Sequence, residues 1–218
     1  MKNLNSLMVL FFLSLSVLFT ACTSGTKSDT AASEAADEAT EAVEEKINLA
    51  NATIDLEKSK VAWKGEMLGV YAHEGTVKFS EGTVTVSDDA ITGGTFVVDM
   101  SSIVPTDENF NPDEGKTPEK LVGHLSSNDF FAVEENPTAT FTINEVSGAT
   151  AKGTLTIRGK SGEETVENVS VSKDGDAVKL TGTLTFNRKN YDVAFDHPVK
   201  EMVISDDIKL DIELLASN

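Results

Sequence analysis

The chain has 218 residues, of which 39% are hydrophobic and 25% are charged, and its formal net charge at pH 7 is −18. A nucleic-acid partner is not expected, because phosphate backbones require clustered Lys and Arg and this chain has 36 acidic but only 18 basic residues. The one long apolar run lies at the N-terminus, which excludes a protein with several transmembrane helices. The single cysteine excludes disulfide bonds within the chain.

Residues 1–21 have the pattern of a bacterial lipoprotein signal peptide. An apolar run covers residues 7–19, and the small residue Ala21 comes directly before Cys22. This pattern resembles a lipobox, which implies that Cys22 receives a diacylglyceryl group and becomes the mature N-terminus. An ordinary secretory signal with an incidental cysteine is the alternative. More than one acyl chain makes a stable anchor, so we expect a lipoprotein of the bacterial cell envelope that faces the periplasm; Thr23 favours the outer membrane.

Residues 22–52 are predicted to form a disordered acidic tether after the lipidated cysteine. Ala, Glu, Ser and Thr dominate the segment, and the first aromatic residue after the signal peptide is Trp63. Such a composition buries too little apolar surface to offset the entropy lost on ordering. An interaction tail for a basic partner is an alternative, although charged spacers are usually only solvated.

Residues 53–218 carry the pattern of an all-β domain. Apolar residues recur at every second position in the segments TFVVDM, ATFTIN, GTLTIRG, GTLTFNR and IKLDIELL. Turn-forming residues separate these segments, among them Ser80-Glu81-Gly82, Gly93-Gly94, Ser147-Gly148, Asp88-Asp89 and Asp174-Gly175. Short half-buried strands joined by such turns predict an antiparallel sandwich or barrel.

The segment around residues 117–127 interrupts the alternation and is predicted to contain a short helix. Thr117 is a suitable N-cap, and Pro118 would occupy the first helical position, where its missing N–H costs nothing. Leu121 and Leu125 would then face the domain. Gly123 weakens the helical pattern.

Three ordered blocks resemble the YceI-like family of periplasmic lipid-binding proteins. The blocks are HLSSNDFFAVEENPTATFTI at residues 124–143, GTLTIRG at residues 153–159 and LTFNRKNYDV at residues 184–193. The family pattern usually continues with Phe-Gly in the third block, where this chain has Tyr191-Asp192. The resemblance covers about residues 53–216.

The resemblance implies an extended eight-stranded antiparallel lipocalin-like barrel that holds a long apolar isoprenoid lipid, as a carrier or a store. A barrel of eight strands has room either for its own side chains or for one slim ligand. The alternative is therefore a structural or stress-associated lipoprotein with a filled barrel and no ligand. The candidate lining residues are Trp63, Phe79, Phe96, Val98, Phe130, Phe131, Phe141, Ile143, Leu155, Ile157 and Phe186.

Four polar residues are candidate contacts for the polar head of a ligand, namely His124, Arg158, Asn187 and Arg188. Either arginine could pair with a phosphate or form a structural salt bridge with one of the many carboxylates. His124 could orient a ligand head or fix the loop before Phe130 by a hydrogen bond.

Neither metal binding nor catalysis is expected. The three histidines lack the spacing of metal ligands, and no segment resembles a nucleophile elbow. Asp107, Asn109 and Asn111 have the spacing of calcium ligands, but Pro112 stands where the sharp turn requires Gly. No enzymatic activity and no cofactor other than a bound lipid are expected, and the oligomeric state is open.

Overall fold

The computed structural model of the protein describes residues 45–197 and 199–217. These residues form nine β-strands, one α-helix and two short 3-10 turns. The helix α1 covers Pro118–Ser126. The strands are β1 (Leu49–Thr53), β2 (Lys60–Met67), β3 (Tyr71–Ser87), β4 (Ala90–Pro105), β5 (Thr138–Ser147), β6 (Thr150–Ile157), β7 (Lys160–Asp174), β8 (Ala177–Asn187) and β9 (Asp207–Ala216).

Strands β2 to β9 form a closed antiparallel barrel in which each strand pairs with the next along the chain. The barrel closes because β9 also pairs with β2, for example Val61 with Ile212 and Trp63 with Leu210. Closure satisfies the backbone groups that a free sheet edge would leave unpaired. Strand β1 lies outside this ring and pairs with the second half of β3. The prediction of an eight-stranded antiparallel lipocalin-like barrel with a short helix is confirmed.

The barrel has two ends, because successive antiparallel strands turn at alternate ends. We define the open end by the β2–β3 turn, the β4–β5 connection that carries α1, the β6–β7 turn and the β8–β9 connection. We define the closed end by the β3–β4, β5–β6 and β7–β8 turns together with β1. The two ends differ in how they are packed.

Apolar side chains fill the closed end. Ile54 follows β1, is almost fully buried, and lies so close over Gly82 that a Cβ there would be 2.5 Å from Ile54 Cδ1. Leu49 and Ala52 of β1 are buried with it. Because β1 pairs with β3 and buries these two residues against the barrel, ordered structure begins before the predicted boundary after residue 52.

The chain enters the barrel at the closed end. The N–H of Ile47 donates to Asp89 Oδ1 at 2.7 Å, and Lys46 Nζ lies 2.6 Å from the same carboxylate. Asp88 and Asp89 form the two-residue β3–β4 turn with φ angles of 52° and 67°, a conformation that Asp tolerates better than most residues. The predicted signal peptide, the lipidated Cys22 and the predicted tether up to residue 44 lie outside the described residues.

Two predicted turns lie inside strands. Ser80–Gly82 falls within β3 and Gly93-Gly94 within β4, and the pairing of these two strands shifts register between Phe79 and Glu81. A bulge accommodates the extra residue, so the chain bends without ending the strand.

Helix α1 begins as predicted. Thr117 Oγ1 accepts a hydrogen bond from the N–H of Lys120 at 3.4 Å, and Pro118 occupies the first turn. Leu121 and Leu125 face the interior of the barrel. No helix of the described segments is long and apolar enough to cross a membrane.

Candidate functional site: an apolar cavity in the barrel

A cavity of about 1170 Å³ extends from the open end into the barrel. Its volume is above the range of about 300–1,000 Å³ that is usual for small-molecule pockets. All eleven predicted lining residues border it, namely Trp63, Phe79, Phe96, Val98, Phe130, Phe131, Phe141, Ile143, Leu155, Ile157 and Phe186. Whether each of them touches a ligand stays a prediction.

Further lining residues include two groups that were not among the candidates. Strand β9 contributes Ile208, Leu210, Ile212 and Leu214, which the alternation had placed on one face but not in the candidate site. The connections at the open end contribute Phe110, Phe195, Met202 and Ile204. These four residues lie outside the strands, so no periodicity in the sequence could have identified them.

Inward-facing glycines leave room in the lumen for aromatic rings to lie against the wall. A Cβ at Gly153 would be 2.4 Å from Phe141 Cζ, and a Cβ at Gly75 would be 2.4 Å from Trp63 Cζ2. The Trp63 indole also donates from Nε1 to the carbonyl of Thr76 at 3.3 Å. The rings therefore cover the glycines instead of crossing the lumen, which helps to keep the barrel hollow.

Polar side chains of the lining are concentrated at the mouth of the cavity. The mouth includes Glu66, Glu108, Glu114, Lys116 and Lys120. Lys116 Nζ is paired with Glu114 at 2.6 Å, and this ion pair lowers the pKa of Glu114 and raises that of Lys116. The cavity thus has an apolar wall and a polar rim, an arrangement that suits a ligand with a long apolar body.

The Asp107 carboxylate holds the β4–β5 connection against β3. It accepts backbone hydrogen bonds from Glu74 and Asn109, both at 2.9 Å, and lies 3.1 Å from His73 Nδ1. Burial acts to raise its pKa, but the two backbone N–H donors and His73 outweigh it and lower the pKa below the ordinary value. The His73 ring stacks on Phe110, with centroids 5.0 Å apart.

The ring of His124 packs between two aromatic residues of the lining. It makes edge contacts with Phe130 and Phe195, with centroids 4.8 and 4.6 Å apart. The carbonyl of His124, rather than its ring, accepts hydrogen bonds from the N–H and the hydroxyl of Ser127. His124 borders the cavity, so a contact with a ligand head stays a prediction.

Arg188 is buried, with 1% of its surface exposed, although it borders the cavity. Its guanidinium donates to the carbonyls of Ser205, Val193 and Phe195 at 3.0, 2.7 and 3.0 Å. It also lies 3.3 Å from Asp206 Oδ1. These four contacts bind the β8–β9 connection to the barrel and favour the structural alternative for Arg188.

Arg158 and Asn187 lie outside the cavity lining. Arg158 has a φ of 49° in the β6–β7 turn, and its guanidinium donates to the carbonyls of Phe130, Asn128 and Asp192. Asn187 Oδ1 accepts from the N–H of Lys189 at 2.9 Å and thereby caps a short 3-10 turn. Both side chains are engaged with the backbone, so their predicted role at a ligand head finds no support in their position.

Tyr191 and Asp192 replace the usual Phe-Gly of the family pattern, and the structure accommodates both. Asp192 has a φ of 59°, which Asp tolerates in place of Gly. Tyr191 is fully buried, and its hydroxyl donates to Glu164 Oε1 at 2.8 Å above Gly162. Burial and this acceptor raise the pKa of Tyr191 well above its ordinary value.

Within the described segments, no group of three or more His, Cys, Asp or Glu side chains is arranged to hold a metal ion. Asp107 of the calcium-like sequence uses both carboxylate oxygens within the fold. Asn109 donates from Nδ2 to the carbonyl of Ala72 at 2.8 Å. The spacing of these residues therefore reflects how the loop is held against β3.

A closed antiparallel barrel with an apolar cavity and a polar mouth defines a lipocalin-like protein with room for an apolar ligand. The chain belongs to the family of proteins with a YceI-like domain, and the family profile matches residues 53–216. This match confirms the resemblance seen in the sequence.

Two curated relatives illustrate the sequence similarity. A UPF0312 protein of Staphylococcus aureus strain MSSA476 is 36% identical over 96 residues, which are 40% of this chain and 56% of that protein. A UPF0312 protein of Staphylococcus epidermidis strain RP62A is 39% identical over 83 residues, which are 35% of this chain and 48% of that protein. The chain thus spans about half the length of these relatives.

Among solved structures, BcnA of Burkholderia cenocepacia is similar with a TM-score of 0.59 and 25% sequence identity. The match covers 75% of this chain and 99% of that one. A polyisoprenoid binding domain from Saccharophagus degradans has a TM-score of 0.49 and 14% identity, over 77% of this chain and 99% of that one.

Proposed function

We propose that the barrel binds a long isoprenoid-type lipid and that the protein is a carrier or store of this lipid. The apolar cavity of about 1170 Å³ is the observation that carries the proposal. Each CH₂ group moved out of water contributes about 0.8 kcal/mol, so a long prenyl chain gains more from this cavity than a short ligand. Membership of the YceI-like family supports the same ligand class.

The alternative is a structural lipoprotein whose barrel is filled and holds no ligand. The size of the cavity argues against a filled barrel, because protein interiors are ordinarily packed with few voids larger than a water molecule. No catalytic role is part of the proposal.

Native mass spectrometry tests whether the barrel holds a bound lipid. Residues 23–218 are produced in a bacterial periplasm and purified without detergent, and the native mass is compared with the denatured mass. We expect a stoichiometric extra mass that extracts into organic solvent as a prenyl lipid. No bound mass, even after incubation with quinones and polyprenyl phosphates, would overturn the proposal.

A matched pair of variants locates the binding site. Phe141→Glu places a charge in the lumen, whereas Thr142→Glu places the same charge on the exposed face of the same strand. We expect Phe141→Glu to lose the bound lipid and Thr142→Glu to retain it, with circular dichroism as the check on folding. Should Phe141→Glu not fold, Ala139→Trp adds bulk to the lumen without charge and should reduce the bound lipid.

The proposal includes a diacylglyceryl anchor at Cys22 in the bacterial outer membrane, with the barrel in the periplasm. Its support is the sequence pattern of residues 1–22, with Thr23 favouring the outer membrane. Mass spectrometry of the N-terminal peptide of the mature protein should show the lipid on Cys22, and Cys22→Ala should abolish processing. An unmodified Cys22 in mature protein would contradict the anchor and leave the ligand proposal standing.

A further inference from the structure

The β2–β3 turn at the open end differs from the other hairpin turns of the barrel. It consists of Leu68, Gly69 and Val70, and the two apolar residues are 49% and 59% exposed. The four other hairpin turns carry Asp88-Asp89, Gly148-Ala149, Arg158-Gly159 and Gly175-Asp176. None of these four turns presents a large apolar side chain to solvent, as is usual for turns.

The β8–β9 connection adds exposed apolar residues beside this turn. The N–H of Leu68 donates to the carbonyl of Val203 at 2.8 Å, so the two segments are adjacent. Val203 is 51% exposed and Val199 is 47% exposed. We call the exposed apolar residues of these two adjacent segments, namely Leu68, Val70, Val199 and Val203, the apolar tip.

The apolar tip is continuous with the mouth of the cavity. Met67 and Tyr71, which flank the turn, line the cavity, and so do Met202 and Ile204 beside Val203. Met67 also pairs with Ile204. The same two segments therefore present apolar side chains both to the cavity and to solvent, and a lipid that leaves the mouth here passes beside the tip.

We propose that the apolar tip docks on a lipid bilayer and that the barrel exchanges its ligand with the membrane there. The inference rests on the proposed function, because a long isoprenoid is dissolved in bilayers and reaches the cavity from them. Exposed apolar side chains clustered in one place mark interaction surfaces, and the boundary between head groups and acyl chains would bury them. A bilayer fits this position because the tip adjoins the opening through which the lipid passes.

The charges near the tip determine which bilayer it prefers. Residues 67–71 carry no charge, and within residues 199–204 the charge of Lys200 is balanced by Glu201. The whole chain has a net charge of −18, which is repelled by anionic lipids. Docking is therefore driven by apolar burial, so it is strongest on zwitterionic lipids and does not weaken when salt is added.

Co-sedimentation with phosphatidylcholine vesicles tests docking. Residues 23–218, without the acyl anchor, are compared with the double variant Leu68→Ser/Val70→Ser and with the control Val104→Ser. Val104 is 54% exposed but pairs with Thr76, five residues along β3 from Tyr71. We expect the double variant to lose at least about tenfold in vesicle partition, by analogy with burial of apolar area, and the control to match the unmodified protein.

Each of the other possible results would overturn either the docking proposal or the proposed function. Absence of vesicle binding, or binding that the double variant retains, would overturn the docking proposal. A concentration-dependent dimer that the double variant loses would mean that a second copy covers the tip, which also overturns it. Bound lipid is measured in the same samples. Protein that holds lipid but does not bind vesicles refutes only docking. Protein that docks but holds no lipid, even after incubation with quinones and polyprenyl phosphates, refutes the proposed function and with it the exchange at the tip.

Discussion

The two ends of the barrel are made from the same alternating strands but are packed in opposite ways. At the closed end, Leu49 and Ile54 come from β1 and the residues after it and complete a dense core with Val84. At the open end, loops and α1 surround the mouth of a cavity, and the β8–β9 connection is held by Arg188. The difference lies in what is added to the strands, because β1 and the residue after it add buried apolar side chains at one end, whereas the connections surround a cavity at the other.

The largest expected loss of stability comes from removing the Arg188 contacts that hold the β8–β9 connection at the open end. Arg188→Met should lower the free energy of unfolding by about 3–5 kcal/mol, because three buried carbonyls lose their donor and an ion pair is broken. Lys189→Met is the matched control, since Lys189 lies 3.0 Å from the same Asp206 but is more exposed, and should cost under about 1 kcal/mol. Urea denaturation measures both. Equal losses would show that the ion pair, not the carbonyl contacts, is what matters.

Equivalent truncations at the two ends test the difference in packing directly. Ile54→Ala removes atoms from the filled closed end and should cost about 2–5 kcal/mol. Ile208→Ala removes the same atoms from a half-buried residue that borders the cavity, and should cost about 1–2 kcal/mol. Chemical denaturation of both variants gives the comparison. If Ile208→Ala is as costly as Ile54→Ala, the open end is as tightly packed as the closed end.

The hydrogen bonds of the Asp107 carboxylate at the mouth should make a smaller, pH-dependent contribution to the free energy of unfolding. Asp107→Asn is expected to cost about 1–2 kcal/mol at pH 7, because the charged acceptor of two backbone N–H groups is lost. The pKa of Asp107 in the folded state is lowered, so its contribution is complete above its ordinary value of 3.8 and disappears as the pH falls through the lower value. Unfolding curves at pH 7 and pH 3 should show that the unmodified protein and Asp107→Asn differ less in free energy of unfolding at pH 3 than at pH 7. A larger difference in free energy of unfolding at pH 3 would contradict the stabilising role of the charged Asp107.

The smallest expected effect concerns the helix at the open end. Thr117→Ala removes the N-cap acceptor of α1 and should cost about 1 kcal/mol. Thr117→Ser keeps the hydroxyl and serves as the control, with a loss of at most a few tenths. Thermal unfolding followed by circular dichroism distinguishes them, and identical melting temperatures would show that the cap does not stabilise the helix measurably.

The alternation of apolar residues predicted the strands and their inward faces, because the interior of a closed barrel is one face of each strand. It could not reveal whether the lumen was filled, since period two carries no information about volume. It also missed β1, where Asn51 has a φ of 55° and the pairing with β3 shifts register between Leu49 and Ala52. Because of this irregularity, the buried residues Leu49 and Ala52 are three positions apart and do not fit a period-two pattern.

The two arginines among the polar candidates show a different limit of the sequence. Arg158 and Arg188 stand out in the sequence, but the carbonyls that they bind belong to irregular connections, the β4–β5 connection for Arg158 and the β8–β9 connection for Arg188. Those carbonyls are present in every residue and leave no mark in the sequence. Sequence alone could therefore identify the arginines but not the role that the structure gives them.

The entry of the chain at the closed end affects how an anchored barrel would work. The 22 residues from 23 to 44 extend to at most about 75 Å, whereas β3 spans about 55 Å and its tilt leaves the barrel about 40 Å tall. An anchor at Cys22 would therefore let the apolar tip reach the bilayer that holds it. Such confinement gives an effective concentration on the order of millimolar, so weak, brief contacts would suffice for repeated lipid exchange.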